Sequence, residues 1–210
     1  MRADNINFKV FSLPLKNLQK PQIAEAKYLY KKLYHTLICE YNKPNKKKIS
    51  RNYIKNINID MTSIFLDADA CPVRKEAERI IKRHLLTLFI VSNGGIRPNH
   101  NPLIKNIIVA SGPDSADLWI LEHIKKDDIV VTTDLLLAKE CINKESRVLR
   151  PNGQILTSNN IDNLLATRNL MSDLRASNPT FQNSTKPFSK IDRINFLNSL
   201  ESELQRTLKN

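Results

Sequence analysis

Apolar runs and amphipathic segments alternate along the chain from Met61 onward. The stretch "SIFLD" (63–67) is short, apolar and ended by an acid, which is typical of a buried strand. The next stretch, "PVRKEAERIIKRH" (72–84), opens with a proline and places Ala77, Ile80 and Ile81 on one side. This spacing predicts an amphipathic helix that begins directly after the strand.

The same alternation continues to the end of the chain. Strands of continuous apolar character, separated by helices, are typical of a parallel sheet whose two faces are both covered. The sequence therefore predicts an α/β fold, a parallel sheet with helices on both faces. Further strands are expected over 86–92, 106–110, 128–134 and 146–150, and further helices over 114–126, 135–143, 159–176 and 189–208.

Residues 1–60 differ in composition from the rest of the chain. They hold 13 Lys or Arg against 4 Asp or Glu, whereas residues 61–210 hold 20 against 17. Residues 21–41 carry tyrosines and leucines at helical spacing, which predicts one amphipathic helix, and the lysine run in 42–52 indicates an exposed linker. We therefore expect a basic N-terminal extension over 1–60 and an α/β domain over 61–210.

Three interpretations of this extension stay open. Its lysines and tyrosines suit contact with RNA phosphates and bases. A run of like charges is also common in a solvated tail without a partner. In the third interpretation translation starts at Met61, so that residues 1–60 are not part of the native protein.

The remaining composition indicates a cytoplasmic protein without a membrane segment. Cys39, Cys71 and Cys141 are odd in number, widely spaced and form no CxxC pair, which favours a reducing compartment. No apolar run approaches the roughly 18 residues that a membrane span requires. The start of the chain also lacks the apolar core of a signal peptide.

Five acids follow predicted strands. Asp67 and Asp69 follow the first strand, Asp114 and Asp117 the third, and Asp134 the fourth. Ligands of open parallel sheets bind beyond the carboxyl ends of the strands. Clustered carboxylates need a cation, and an all-oxygen site suits Mg²⁺ or Mn²⁺. We expect all five acids to be metal ligands, with Asp67, Asp69 and Asp134 catalytic in phosphodiester hydrolysis.

Several of these residues also have structural interpretations. Asp114 stands where a helix N-cap is expected, and Asp117 three residues later completes a capping-box pattern. Asp69 is placed to cap the first helix, and Cys71 is either a reactive thiol at that helix N-terminus or a small packing residue. Asp127 and Asp128 are expected in a solvated turn.

Two other functional classes compete with a metal-dependent hydrolase. An apolar strand followed by DxD is similar to the start of haloacid-dehalogenase-like phosphatases, in which the first acid is a nucleophile. The hydroxyl of such a site would come from "VVTTD" (130–134). In the other class the same edge is a non-catalytic RNA- or protein-binding module, and the acids are helix caps.

Ordered sequence blocks between residues 67 and 200 resemble the bacterial YaiI/YqxD family. The resemblance is specific because the blocks follow one another over most of residues 61–200, and none of them lies in residues 1–60. The blocks are "DADACP" (67–72), "SN" with Arg97 downstream, "SGPDSAD" (111–117), "DDIVVTTDLLLA" (127–138), "LRPNGQILT" (149–157), "RNLMSDLRAS" (168–177) and "FSKIDRINFLNSL" (188–200).

This resemblance implies a PIN-like nuclease fold, in which acids at the strand ends bind Mg²⁺ or Mn²⁺ and RNA is cleaved. It implies that Asp67 and Asp69 are metal ligands and that Asp114, Asp117 and Asp134 complete the acidic edge. Asn93 and Arg97 would then bind substrate phosphate, where an arginine can contact two oxygens at once. The expected partner is nucleic acid, RNA in particular.

Overall fold

Six strands form one sheet. In a computed structural model of the chain, the described residues are 62–68, 72–95, 99–110, 112, 114–177 and 186–209. The strands are β1 (Ser63–Asp67), β2 (Thr87–Ser92), β3 (Ile104–Ile108), β4 (Ile129–Val131), β5 (Arg147–Leu149) and β6 (Ile155–Leu156). The helices are α1 (Arg74–His84), α2 (Ser115–His123), α3 (Leu135–Asn143), α4 (Ser158–Ser177) and α5 (Lys190–Lys209).

The strand order is β3-β2-β1-β4-β5-β6. Five of the six strands are parallel, and β6 pairs antiparallel with β5. In the register of the central strands, Phe65 lies opposite Phe89 on one side and Val130 on the other. The predicted α/β fold is therefore confirmed, with an antiparallel edge strand that the apolar pattern did not predict.

Two strands, β3 and β4, differ from their predicted bounds by two or more residues at one end or both. β3 begins at Ile104, two residues earlier than expected, because Leu103 and Ile104 are buried beside β2 and the Leu103 carbonyl accepts a hydrogen bond from the Leu88 amide, 2.8 Å. β4 covers only Ile129–Val131 of the predicted 128–134. Beyond Val131, the Thr132 amide still donates to the Leu149 carbonyl oxygen of β5 at 3.2 Å, and the Thr132 hydroxyl accepts from the Asp134 amide at 3.0 Å.

The side chains of each central strand alternate between two cores, one on each face of the sheet. Ile64 and Leu66 of β1 pack with Ala77 and Ile80 of α1 in one core, whereas Phe65 packs in the other. This alternation follows from the two-residue period of an extended chain. Both faces are covered: the first core contains residues of α1 and α5, and the second contains residues of α2, α3 and α4.

The C-terminal helix α5 seals the first core. Phe196, Leu200 and Leu204 are fully buried at a spacing of four residues, one face of the helix. Beside them Glu203 is 2% exposed, and its carboxylate pairs with Arg147 at 2.9 Å and with Arg206 at 2.7 Å. Two cations thus compensate a carboxylate that would otherwise be costly to bury.

A close backbone approach fixes α5 against the turn before β6. Gly153 has a positive φ of 87°, and a Cβ atom there would lie 2.5 Å from the carbonyl carbon of Asn195. The Ser199 hydroxyl donates a 2.7 Å hydrogen bond to the Gly153 carbonyl oxygen. Only glycine combines this backbone conformation with this proximity.

The acid before β4 is structural, and the expectation of a solvated turn was wrong for Asp128. Its side chain is 4% exposed, and its two carboxylate oxygens accept hydrogen bonds from the Ser63 amide at 2.7 Å and the Lys125 amide at 2.9 Å. These bonds tie the start of β1 to the loop before β4. Asp127 next to it is half-buried and lies 3.4 Å from Arg147.

Some predictions fall outside the described residues. These are the helix over 21–41, the basic linker over 42–52, and the positions of Asp69, Cys71 and Arg97. The boundary between residues 60 and 61 likewise stays a prediction. Of the helices in the described part of the chain, none is both long enough and apolar enough to cross a membrane.

Candidate functional site at the carboxyl ends of β1 and β4

The strand order places a topological switch point at β1. From β1 the chain continues to β2 and β3 on one side of it, and it then crosses back to β4 on the other side. The connections after β1 and β4 therefore leave in opposite directions, which opens a crevice at their carboxyl ends. Asp67 is the last residue of β1, and Thr132 and Asp134 follow β4, so all three lie at this crevice.

A hydrogen-bonded chain connects these three residues. The Thr132 hydroxyl donates to the Asp67 Oδ2 atom at 2.9 Å and accepts from the Asp134 amide at 3.0 Å. Because the amide hydrogen points at the hydroxyl oxygen, the hydroxyl proton is directed to Asp67. Thr132 is fully buried and Asp67 is 8% exposed, so the orientation of the Asp67 carboxylate is fixed by the protein.

Asp134 caps helix α3. Its Oδ1 atom accepts hydrogen bonds from the Leu136 amide at 2.6 Å and the Leu137 amide at 3.1 Å. These bonds satisfy two of the amides that a helix start leaves unpaired. The other oxygen, Oδ2, lies 3.9 Å from the Arg168 Nη1 atom of α4. Any contribution of Asp134 to a metal site must therefore come mainly from Oδ2.

Thr132 is a site residue that the sequence pattern does not single out. In the phosphatase alternative, "VVTTD" (130–134) is only a source of a hydroxyl. A threonine directly after a buried strand is common, and only the pairing of β1 with β4 shows which acid it contacts. The two consecutive threonines before Asp134 were the available signal, and the structure buries Thr132 and exposes Thr133.

Asp114 and Asp117 lie at the start of α2, after β3. Asp114 occupies the N-cap position with a left-handed φ of 56°, its side chain is exposed, and it makes no capping hydrogen bond. Asp117 is half-buried in the first helical turn. Its negative charge adds to the effect of burial in raising the pKa of the Cys141 thiol of α3 to about 12. The capping-box interpretation of this pair is therefore wrong for the Asp114 side chain.

Asn93 holds two loops together. Its Oδ1 atom accepts a hydrogen bond from the Ser115 hydroxyl at 3.1 Å, and its Nδ2 atom donates to the Gly112 carbonyl oxygen at 3.3 Å. The side chain thereby joins the turn after β2 to the start of α2. Phosphate binding by Asn93 stays a prediction, and its first function in the fold is to position the Gly112 loop.

The donor set at this edge can be compared with what a divalent cation requires. Among the described residues, which do not include Asp69, no group of three or more His, Cys, Asp or Glu side chains is arranged to hold a metal ion. Mg²⁺ keeps several of its water ligands and is usually bound by one or two carboxylates. Asp67 and Asp134 supply two carboxylates at the same crevice, the number that such a site usually takes. The metal-ligand assignments of Asp67, Asp69, Asp114, Asp117 and Asp134 stay predictions.

Comparisons with known proteins identify the family of the chain. Residues 65–206 match the family model described as "Uncharacterized BCR, YaiI/YqxD family". A UPF0178 protein of Roseobacter denitrificans is 51% identical over 146 residues, which are 70% of this chain and 97% of that protein. A UPF0178 protein of Ruegeria pomeroyi is 52% identical over 146 residues, 69% of this chain and 95% of that protein.

A more distant relative matches nearly the same length of chain. A UPF0178 protein of Parvibaculum lavamentivorans is 45% identical over 145 residues, 69% of this chain and 95% of that protein. No solved structure matches the chain significantly. The family match over 65–206 includes Asp67, Thr132 and Asp134, and the chain belongs to the YaiI/YqxD family.

Proposed function

We propose that the crevice at β1 and β4 hydrolyses phosphodiesters of nucleic acid, with RNA as the substrate, and that it uses Mg²⁺ or Mn²⁺. The observation that carries the proposal is the buried hydrogen bond from Thr132 to Asp67 at the topological switch point, 2.9 Å. A carboxylate oriented in this way presents a fixed ligand or base to a substrate at the sheet edge. The resemblance to the YaiI/YqxD family, which implies a PIN-like nuclease fold, supports the same reaction class.

The protein's own residues would contribute orientation and charge. Thr132 holds one oxygen of Asp67, and the amide of Asp134 holds Thr132. Asp134 stabilises the start of α3, whose amides direct a positive partial charge toward the crevice. A divalent cation, when bound, would supply charge neutralisation and an activated water. Asp69, which follows Asp67 by two residues, is the expected additional ligand.

The cysteine pattern supports a cytoplasmic location for this activity. Cys39, Cys71 and Cys141 are odd in number, widely spaced and form no CxxC pair, and Cys141 is a free, fully buried thiol. A reducing compartment is the environment in which such thiols persist.

The proposal is tested with conservative variants of the two strand-end acids. Asparagine at position 67 still accepts a hydrogen bond from Thr132, and asparagine at position 134 is also a good helix N-cap. We therefore expect Asp67→Asn, Asp134→Asn and the double variant to keep their circular dichroism spectra. Mn²⁺-dependent cleavage of a mixed RNA pool should fall at least about 100-fold for Asp67→Asn and to background for the double variant.

Controls separate chemistry from nonspecific charge effects. Asp173→Asn removes an exposed carboxylate of α4 and should leave the rate unchanged. EDTA should abolish cleavage, and added Mn²⁺ should restore it. Undiminished cleavage by the double variant, or wild-type protein that neither binds Mn²⁺ nor cuts RNA, would contradict the proposal.

The same variants discriminate the competing classes. Hydrolysis of p-nitrophenyl phosphate that is lost in Asp67→Asn, without any RNA cleavage, would assign the crevice to a phosphatase with Asp67 as nucleophile. RNA binding without hydrolysis of either substrate would favour the non-catalytic binding module.

A further inference from the structure

A groove of about 720 Å³ lies between α3 and α4, beside the crevice. Its walls carry three cationic side chains, Lys139 of α3 and Arg168 and Arg175 of α4, and one acid, Asp162. The lining therefore has a net positive charge, although the 61–210 part of the chain as a whole is close to neutral. A localised basic groove on a nearly neutral domain indicates an anionic ligand.

The cations of the groove are only weakly neutralised by the protein. Lys139 pairs with Asp162 at 2.9 Å, but the two side chains are 45% and 71% exposed. Exposed ion pairs of this kind contribute little and exchange readily for another anion. Arg175 donates from Nε to the Met171 carbonyl oxygen of its own helix at 3.0 Å and pairs with no carboxylate of the described residues.

Apolar side chains share the groove with these cations. Leu136 of α3 is 60% exposed, and Leu165 of α4, which also lines the groove, is half-buried. A nucleic-acid duplex presents its phosphates outward and keeps its bases stacked inside. A single strand presents both, and sites for single strands combine cations with apolar surfaces for the bases. The mixed lining therefore suits a single strand better than a duplex.

The groove is connected to the crevice through Arg168. Its Nη1 atom lies 3.9 Å from the Asp134 Oδ2 atom. The Asp134 amide in turn donates a hydrogen bond to the Thr132 hydroxyl, which donates to the Asp67 carboxylate. Arg168 and Arg175 are seven residues apart, two turns and about 10.5 Å along the axis of α4, so they lie on the same side of that helix. They form a basic track that ends at the strand-end acids.

We propose that this groove binds the phosphate backbone of single-stranded nucleic acid and directs it to the crevice of Asp67 and Asp134. The role of the groove in delivering substrate rests on the proposed phosphodiester hydrolysis. Binding in the groove can be measured whether or not hydrolysis occurs. Arg168 and Arg175 contact phosphates, and Leu136 contacts a base.

Binding is measured by fluorescence anisotropy of a fluorescein-labelled U12 oligonucleotide, with EDTA present so that no cleavage occurs. The test variant is Arg168→Ala combined with Arg175→Ala. The matched control is Arg79→Ala combined with Lys82→Ala, which removes two exposed positive charges from α1 on the opposite face of the sheet. Circular dichroism checks that both double variants are folded.

We expect the groove variant to bind U12 at least about 10-fold more weakly and the control to stay within about 2-fold. For two lost phosphate contacts, the dependence of log K on log salt should flatten by about 1.4. Equal weakening in both variants, or wild-type protein that does not bind U12, would overturn the inference. Tighter binding of a 12-base-pair duplex than of U12 would also overturn it.

Further measurements show whether the groove prefers RNA or DNA, and they separate the groove proposal from the hydrolysis proposal. Tighter binding of U12 than of dT12 supports the inference and assigns the groove to RNA, and equal binding supports a site for either sugar. If U12 binding depends on the groove but wild-type protein never cleaves RNA, hydrolysis fails and the groove stands. If RNA is cleaved while the groove variant binds like the control, the groove fails and hydrolysis stands.

Discussion

The two faces of the sheet are each covered by a helix of 20 residues, yet α5 and α4 differ in how much they bury. α5 places Phe196, Leu200 and Leu204 fully inside the first core. α4 buries only Ile161, and Leu170 remains 57% exposed. One helix therefore completes the core, whereas the other leaves most of its length on the surface beside the groove.

The spacing of apolar residues explains this difference. The buried residues of α5 recur every four positions and form one narrow stripe. In α4 the leucines at 164, 165, 170 and 174 spread over a wider arc, and the polar residues between them line the groove. Helix length alone thus does not indicate how a helix contributes to stability, and a surface-exposed helix is available for binding.

The largest expected effect comes from a matched pair of leucine truncations. Leu200→Ala should lower the free energy of unfolding by about 3 kcal/mol, because it leaves a cavity in the sealed core. Leu170→Ala should change it by no more than about 0.5 kcal/mol, because that side chain is largely solvated already. The midpoints of urea unfolding measure both changes, provided that the free energy of unfolding depends on urea concentration with the same slope in each protein. Similar losses for the two variants would show that α4 is packed as tightly as α5.

A smaller effect is expected where the turn before β6 meets α5. Gly153→Ala introduces a Cβ atom 2.5 Å from the Asn195 carbonyl carbon, at a backbone φ of 87°. We therefore expect the free energy of unfolding to fall by about 2 kcal/mol. Gly94→Ala is the control, since the nearest atom to a Cβ there is the Ser92 hydroxyl at 3.9 Å. Thermal unfolding compares the two, and an unchanged melting temperature for Gly153→Ala would mean that α5 is not held by this contact.

The smallest effect, over the measured range of pH 8 to 10, concerns the Cys141 thiol in the core that α4 covers. Burial, with a further contribution from the Asp117 charge, raises the pKa of the Cys141 thiol from 9.0 to about 12. The folded state therefore retains a proton that the unfolded state releases above pH 9. The contribution of the protonated Cys141 thiol to the free energy of unfolding is complete below pH 9. As the pH rises from 9 toward 12 this contribution is lost, and the free energy of unfolding falls by about 1.4 kcal/mol per pH unit.

Urea unfolding at pH 8, 9 and 10 of wild-type protein and Cys141→Ala isolates this dependence, because the other titrating groups are common to both. We expect a steeper fall of stability with pH in the wild-type protein. Parallel curves would mean that water reaches Cys141, and thus that the second face is open down to its core.

The sequence predicted Asp67 at the end of β1, whereas β4 ends at Val131, three residues before the predicted end at Asp134. It did not predict how the side chains of these two acids are connected. The Thr132 hydroxyl bonded to Asp67, 65 residues away in sequence, was not anticipated. A local pattern shows that a polar side chain follows a strand, but not which side chain from another strand lies next to it.

The acids at the other end of the sheet show a second limit of pattern analysis. "DD" at 127–128 has the composition of a solvated turn, yet Asp128 is buried because two backbone amides, of Ser63 and Lys125, point at it. Backbone donors carry no signature in the sequence. The short strand β6 was missed for a related reason, since two residues are too few to show a period.

The sequence by itself determined the alternation of strands and helices, the two-sided burial of the sheet and the positions of acids after strands. These follow from short-range periods of apolar residues, which depend only on local geometry. The tertiary structure decided the order β3-β2-β1-β4-β5-β6, and with it the crevice, the Thr132 connection and the groove between α3 and α4. A strand that is apolar on both faces can pair with any similar strand, so crossover connections and long-range packing select its neighbours.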